Sequence, residues 1–194
     1  ACFNGNYVLS DALAGSIKRG ITKEEDDGFA EELLNSTKNL AEQQAVTEYI
    51  RNAFHGLALS IEHPERPVIK KLSNIQHLWT PVTAVIKDDV SMFDVLRRIH
   101  PTPAVCGIPP SEAREIINQL ESYSRGLFAG VIGWFNLNHK AEFFVGIRSA
   151  LLKGKELHAF AGCGIVEGSD PDSEYVETEL KLTPVLSLLE GNES

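Results

Sequence analysis

His139-Lys140-Ala141-Glu142-Phe143-Phe144-Val145-Gly146-Ile147-Arg148, followed by Ala161-Gly162-Cys163-Gly164-Ile165-Val166 and then Glu174-x-x-Glu177-Thr178-x-x-Lys181, is the stretch that decides how this chain reads. Its first part predicts a strand over 142–150, with Arg148 falling inside the apolar run, and a second strand at 156–161. Lys153-Gly154-Lys155 between them is a hairpin turn. Asp170-Pro171 opens a helix, a capping carboxylate followed by proline in the first turn, predicted to reach Leu189. Strands paired as hairpins beside helices, rather than in βαβ units, give an α+β class with antiparallel sheets flanked by helices. The stretch also gathers an arginine, a glycine-rich turn, two carboxylates and a lysine. That ordered set suits a small dianionic substrate held through a divalent metal.

Upstream, a strand is predicted over 127–135 with a turn at Asn136–Lys140. Ser111 starts a helix with Ala113, Ile116, Ile117 and Leu120 on one face, and Ser91 starts another with Met92, Val95, Leu96 and Ile99. Residues 57–87, rich in β-branched residues and punctuated by Pro64, Pro67 and Pro81, suit antiparallel strands and loops. A helical pattern covers Lys23 to Phe54, divided near Asn35-Ser36, with Thr22 as cap and Glu25 three residues on. Ala1 to Leu9 reads as a strand turning at Asn4-Gly5-Asn6, with neither initiator Met nor leader. It is expected to belong to the middle of a larger sheet, the chain being a fragment or processed product. Its exposed strand edge should then promote self-association near Phe3, Tyr7 and Leu9. Without a repeat or linker, residues 1–194 read as one domain.

With 43% hydrophobic residues the chain can fill a core. Its 27 acidic against 18 basic residues, a net charge of -9, argue against nucleic acid and anionic membrane surfaces as partners. No apolar run reaches the length of a membrane span. Three cysteines without metal-ligand spacing (Cys2, Cys106, Cys163) fit a reducing cytoplasm.

Several residues stand out on chemistry. Glu174, Glu177 and Lys181 lie three and four apart and share a helix face, which can be either a solvated charged face or a ligand set. Glu42 has Ala45, Val46 and Tyr49 as helical neighbours, so its carboxylate lies along an apolar stripe and needs a partner or a metal. A guanidinium within an apolar strand, as at Arg148, is suited to clamping a carboxylate, the alternative being a structural ion pair. Gly162 and Gly164 allow backbone N–H groups close to an anion, or simply bend the chain. His77, among apolar residues, is by itself a satisfied core histidine as readily as a functional one.

Taken with His100-Pro101-Thr102-Pro103-Ala104-Val105-Cys106-Gly107 and Ala12-Leu13-Ala14-Gly15-Ser16-Ile17-Lys18-Arg19-Gly20, these motifs resemble the chorismate-binding enzymes, and within them the isochorismate synthases. The resemblance spans essentially the whole chain but begins partway into the family's catalytic domain. It implies the anthranilate synthase component I-like fold, N-terminally truncated, of which 1–194 is the C-terminal portion. It implies Mg²⁺ held by Glu42 and Glu177, with Glu174 acting through water. Substrate-binding roles are implied for Gly15, Ser16, His77, Ala104, Phe128, Arg148, Gly162, Gly164 and Lys181. Arg148 would take the pyruvyl carboxylate and His77 would lie near the ring hydroxyl as catalytic support. Phe128 stands where many relatives have Tyr, and Cys163 where Ala is usual. Gln43 and Asn39 replace the His and Asp common beside the first ligand, loosening its support. His100 is expected to be structural.

The implied reaction is isomerisation of chorismate to isochorismate, in menaquinone or siderophore biosynthesis. It adds water at C2 while the C4 hydroxyl leaves, which needs a base and an acid. In the family these are a lysine and the glutamate of a Ser-Pro-Glu motif, both expected before Ala1, so the fragment alone should be inactive. Ala14 replaces the nucleophilic lysine of aminodeoxychorismate synthases. Salicylate synthase, anthranilate synthase component I and a non-catalytic chorismate-binding piece remain alternatives.

Overall fold

The computed structural model describes residues 1–189. Strand β1 (Cys2–Asn4) turns at Gly5, whose φ of 61° suits glycine, into the long strand β2 (Tyr7–Lys18). Two helices follow, α1 (Lys23–Asn35) and α2 (Thr37–Ala53), separated at Ser36 as the sequence suggests. The Thr22 hydroxyl accepts from Glu25 N at 3.2 Å and the Glu25 carboxylate accepts from Ile21 N at 2.8 Å, while Ser36 caps α2. Strands β3 (Ala58–Glu62), β4 (Val68–Lys71) and β5 (Ile75–Ile86) come next. Helices α3 (Met92–Ile99), α4 (Pro103–Cys106) and α5 (Pro110–Leu120) precede strands β6 (Val131–Phe135), β7 (Lys140–Val145), β8 (Ser149–Lys153) and β9 (Glu156–Phe160). Helix α6 (Pro171–Leu186) closes the described chain.

The main sheet is antiparallel with the order β3-β5-β2-β1-β7-β6, and β4 also pairs with β5; β8 and β9 form a separate hairpin. Helix α2 lies across β2 and β5, and α3 packs against α2. Alternation along β2 turns Val8, Ser10, Ala12 and Ala14 inward. Ala12 and Ala14 are small, so α2 approaches closely and Val46, Ile50 and Phe54 pack with Val82, Ala84 and Ile86 of β5. The amide of Gln43 enters this layer almost fully buried. It accepts from Ala14 N at 2.7 Å and donates to Ala12 O and Thr80 Oγ1, both at 3.0 Å. Gln43 therefore clamps α2 to β2.

The structure corrects several expectations. The first strand is not an exposed edge: β1 is hydrogen-bonded to β2 on one side and β7 on the other, and Phe3 is buried against Phe143. The exposed apolar surface lies instead on β6 to β8, at Ile132, Trp134, Phe135, Phe144, Leu151 and Leu152. The strand expected over 142–150 breaks into β7 and β8, placing Arg148 in the break with φ 50°. The strand expected from 127 starts at Val131, because Gly126 and Ala129 adopt positive φ and form a turn. Helix α6 ends at Leu186, two residues beyond an internal Pro184.

Candidate active site

The site begins with a bulge in β2. Between Ala14 and Ser16 the register with β5 slips, and Gly15 takes φ 70°. A Cβ there would lie 3.0 Å from Asn39 Cβ, so both the angle and the closeness of α2 require glycine. The bulge sets Ser16 opposite His77, with 2.9 Å between Ser16 Oγ and His77 Nδ1, and Gly15 O at 3.3 Å. On the other side of the ring, Nε2 is 2.8 Å from Arg148 Nη2. Arginine only donates, so Nε2 accepts and Nδ1 carries the proton. Burial and the Arg148 charge push the His77 pKa down to about 4, so the ring is neutral near neutral pH. Both nitrogens are engaged, which makes His77 a strut for Arg148 rather than a free proton carrier.

Arg148 is itself desolvated, which lowers its pKa against the attraction of Glu177, and among the described residues its buried Nε has no hydrogen-bond partner. A buried guanidinium donor left open in this way suits an anionic ligand.

The carboxylates come from two helices. Glu42 of α2 is half-buried with the Gly15 backbone N–H facing it; burial, then the charge of Glu177, raise its pKa, offset in part by Lys181. The loop 161–164 closes over it: a Cβ at Gly164 would lie 3.1 Å from Glu42 Oε1. On α6, Glu177 pairs with Lys181 at 2.6 Å, and Lys181 Nζ also donates to Gly162 O at 3.1 Å. The α6 N-terminus is set by Asp170, which accepts from Ser173 N at 2.9 Å.

Gly15, Ser16, His77, Arg148, Glu42, Glu177, Lys181, Gly162 and Gly164 are thus brought together by β2, β5, α2, the β7–β8 break and α6. Glu174 is buried but engaged by Lys38 at 2.7 Å. Burial pushes its carboxyl up, and Lys38, with Ser169 and Cys163 beside it, more than offsets that and holds it below the usual range. Phe128 stacks on Phe160 at the end of β9 with a 5.6 Å centroid separation. Ala104 packs on the main core from α4, and no hydrogen bond joins it to the cluster. His100 is half-buried and meets the backbone of Ala129.

Among the described residues no group of three or more His, Cys, Asp or Glu is poised around a metal position. Glu42 and Glu177 repel one another in a partly desolvated setting, and two carboxylates completed by substrate and water oxygens are a donor set that suits Mg²⁺. Lys38 was missed in the sequence because a lysine near the start of a helix reads as solvated; its place one turn before Glu42 was the available signal.

Residues 2–190 match the family model described as chorismate binding enzyme. The chain is 45% identical over 188 residues to the isochorismate synthase MenF of Bacillus subtilis, covering 97% of this chain and 40% of that protein. It is 41% identical over 182 residues to the salicylate biosynthesis isochorismate synthase of Pseudomonas aeruginosa, covering 94% and 38%. The structure superimposes on the menaquinone-specific isochorismate synthase MenF of Escherichia coli with a TM-score of 0.85 and 29% identity, over 95% of this chain and 42% of the other. The chain spans less than half the length of these relatives. Among the described residues no helix is long and apolar enough to cross a membrane.

Proposed function

Because the chain belongs to the chorismate-binding enzyme family, we propose that it forms the substrate- and metal-binding part of a Mg²⁺-dependent isochorismate synthase. The observation that carries this reading is Arg148 Nε, a buried donor unpartnered among the described residues, on a guanidinium aimed by neutral His77. One substrate carboxylate would occupy Arg148. The other would lie toward Glu42, Glu177 and Lys181, with the backbone of Gly162 and Gly164 alongside. A Mg²⁺ bound by Glu42 and Glu177 would supply the counter-charge that lets a dianion approach two glutamates.

Isomerisation takes a proton from the water added at C2 and gives one to the hydroxyl leaving C4. The groups described here are matched to holding the substrate for those transfers. His77 has both nitrogens engaged, and Lys181 is tied to Glu177 and Gly162. The names of these relatives point to salicylate and to menaquinone biosynthesis, and isochorismate formation is the step that both names share.

The test is calorimetric binding of chorismate with and without Mg²⁺, beside chromatographic analysis of the products formed by the intact protein. Arg148→Ala should abolish measurable binding, and Mg²⁺ removal or Glu177→Gln should weaken it at least about tenfold. Binding indifferent to all three changes would overturn the reading. Salicylate or anthranilate as the first product would replace isomerisation with the alternative.

A further inference from the structure

Among the described residues, the polar ties that hold α6 to the rest of the protein are few. Solvent-open grooves flank it, one beside Cys163, Ile165, Ser169 and Tyr175 and the other beside Ser16, Phe29, Ile75 and Val176. Tyr175 and Val176 are largely exposed. A helix bordered by open grooves on two sides has fewer packing neighbours there, so polar ties carry more of its position. Three such ties are the Lys38–Glu174 bridge at 2.7 Å, Lys181 to Gly162 O at 3.1 Å, and Asn74 to Leu180 O at 3.4 Å. Only the first is an ion pair with a buried partner: Glu174 is 6% exposed, whereas Lys38 reaches it from a half-exposed position on α2. Lys38 also feels Glu42 and Glu177, which, after Glu174, help hold its ammonium in the charged form.

We propose that Lys38 is a positioning residue of the metal and substrate site. Its ammonium occupies Glu174, keeps that carboxylate from serving as a metal ligand, and clamps α6 to α2 so that Glu177 and Lys181 face Glu42 and Arg148. The inference rests on the metal reading given above. Two opposing effects follow from the geometry. Lys38 lowers the affinity of the carboxylates for a bare divalent cation, because it is a fixed positive charge among them and withholds Glu174. It raises substrate affinity, because it fixes the helix that carries Glu177 and Lys181. An incidental surface bridge would do neither.

The experiment is titration of the intact protein with Mn²⁺, followed by electron paramagnetic resonance of the free ion, and then chorismate binding at saturating Mn²⁺. Lys38→Met should bind Mn²⁺ at least about fivefold more tightly, the effect of removing a unit positive charge that interacts with Glu42 and Glu177 in a largely aqueous dielectric. The same variant should bind chorismate about tenfold more weakly, as expected if a site helix loses its anchor. Lys38→Arg should restore both values. Glu174→Gln should move Mn²⁺ affinity the other way, since it frees the ammonium toward Glu42 and Glu177, and this variant carries the test if Lys38→Met does not fold. Unchanged or weakened Mn²⁺ binding in Lys38→Met overturns the inference while leaving the metal reading intact, provided Glu177→Gln still weakens Mn²⁺ binding at least about tenfold. Wild-type protein that takes up no Mn²⁺ overturns both.

Discussion

Acidification should destabilise this protein through His77 in a way that one substitution can isolate. The folded-state pKa of His77 is pushed down to about 4 by burial and by the Arg148 charge, against an ordinary value of 6.5. Above the ordinary value neither folded nor unfolded chain binds the proton, and stability is untouched. As pH falls below it, the unfolded chain protonates while the folded chain refuses, so stability is lost with falling pH until the folded pKa is passed. The full loss is about 3 kcal/mol, and by about pH 5 it has reached about 2 kcal/mol. Asp26 and Glu174, whose carboxyls are held below their ordinary range, add their own acid sensitivity, so the wild-type curve alone is not diagnostic. His77→Gln keeps a side chain that can accept from Arg148 and donate to Ser16 but does not titrate. Urea unfolding of both proteins at about pH 7.5 and about pH 5 gives the comparison, and the variant should lose about 2 kcal/mol less than wild type across that step. Equal losses in the two proteins, within about 0.5 kcal/mol, would refute the neutral, desolvated imidazole and with it the tautomer that aims Arg148.

Gly15→Ala forces a Cβ to φ 70° and 3.0 Å from Asn39 Cβ, so it should cost about 1–3 kcal/mol in urea unfolding and weaken chorismate binding as well. Gln43→Met leaves the Ala14 N–H and Ala12 C=O buried without this partner, and about 2–4 kcal/mol should be lost in the same assay. Arg148→Lys keeps the charge but removes the open Nε; chorismate affinity measured by calorimetry should fall about tenfold or more with little change in stability.

Much of the architecture was legible in local chemistry. Thr22 with Glu25, Ser36, Ser91 with Asp94, and Asp170-Pro171 mark helix starts by their own hydrogen bonds, and the hairpin turns announce themselves at Asn4-Gly5-Asn6 and Lys153-Gly154-Lys155. These features depend on neighbours within a few residues, which is why a sequence reveals them. The candidate site was legible as a set of residues, through the motifs that carry the family resemblance, but not as a geometry. Arg148 reads as one more residue of an apolar strand; only the break between β7 and β8 turns its guanidinium onto His77. Glu174 and Glu177 look equivalent on their helix, yet the tertiary fold gives Lys38 to one and Lys181 to the other. Gln43 reads only as a neighbour of Glu42, and the tertiary fold also makes it the tie between α2 and β2. The first strand resembles an exposed edge because its second partner, β7, lies well over a hundred residues along the chain. Local hydrogen bonds and periodicity therefore determined the elements. Which buried charge met which partner was decided only when helices and strands distant in sequence closed on one another, because desolvation and ion pairing depend on distance in space rather than along the chain.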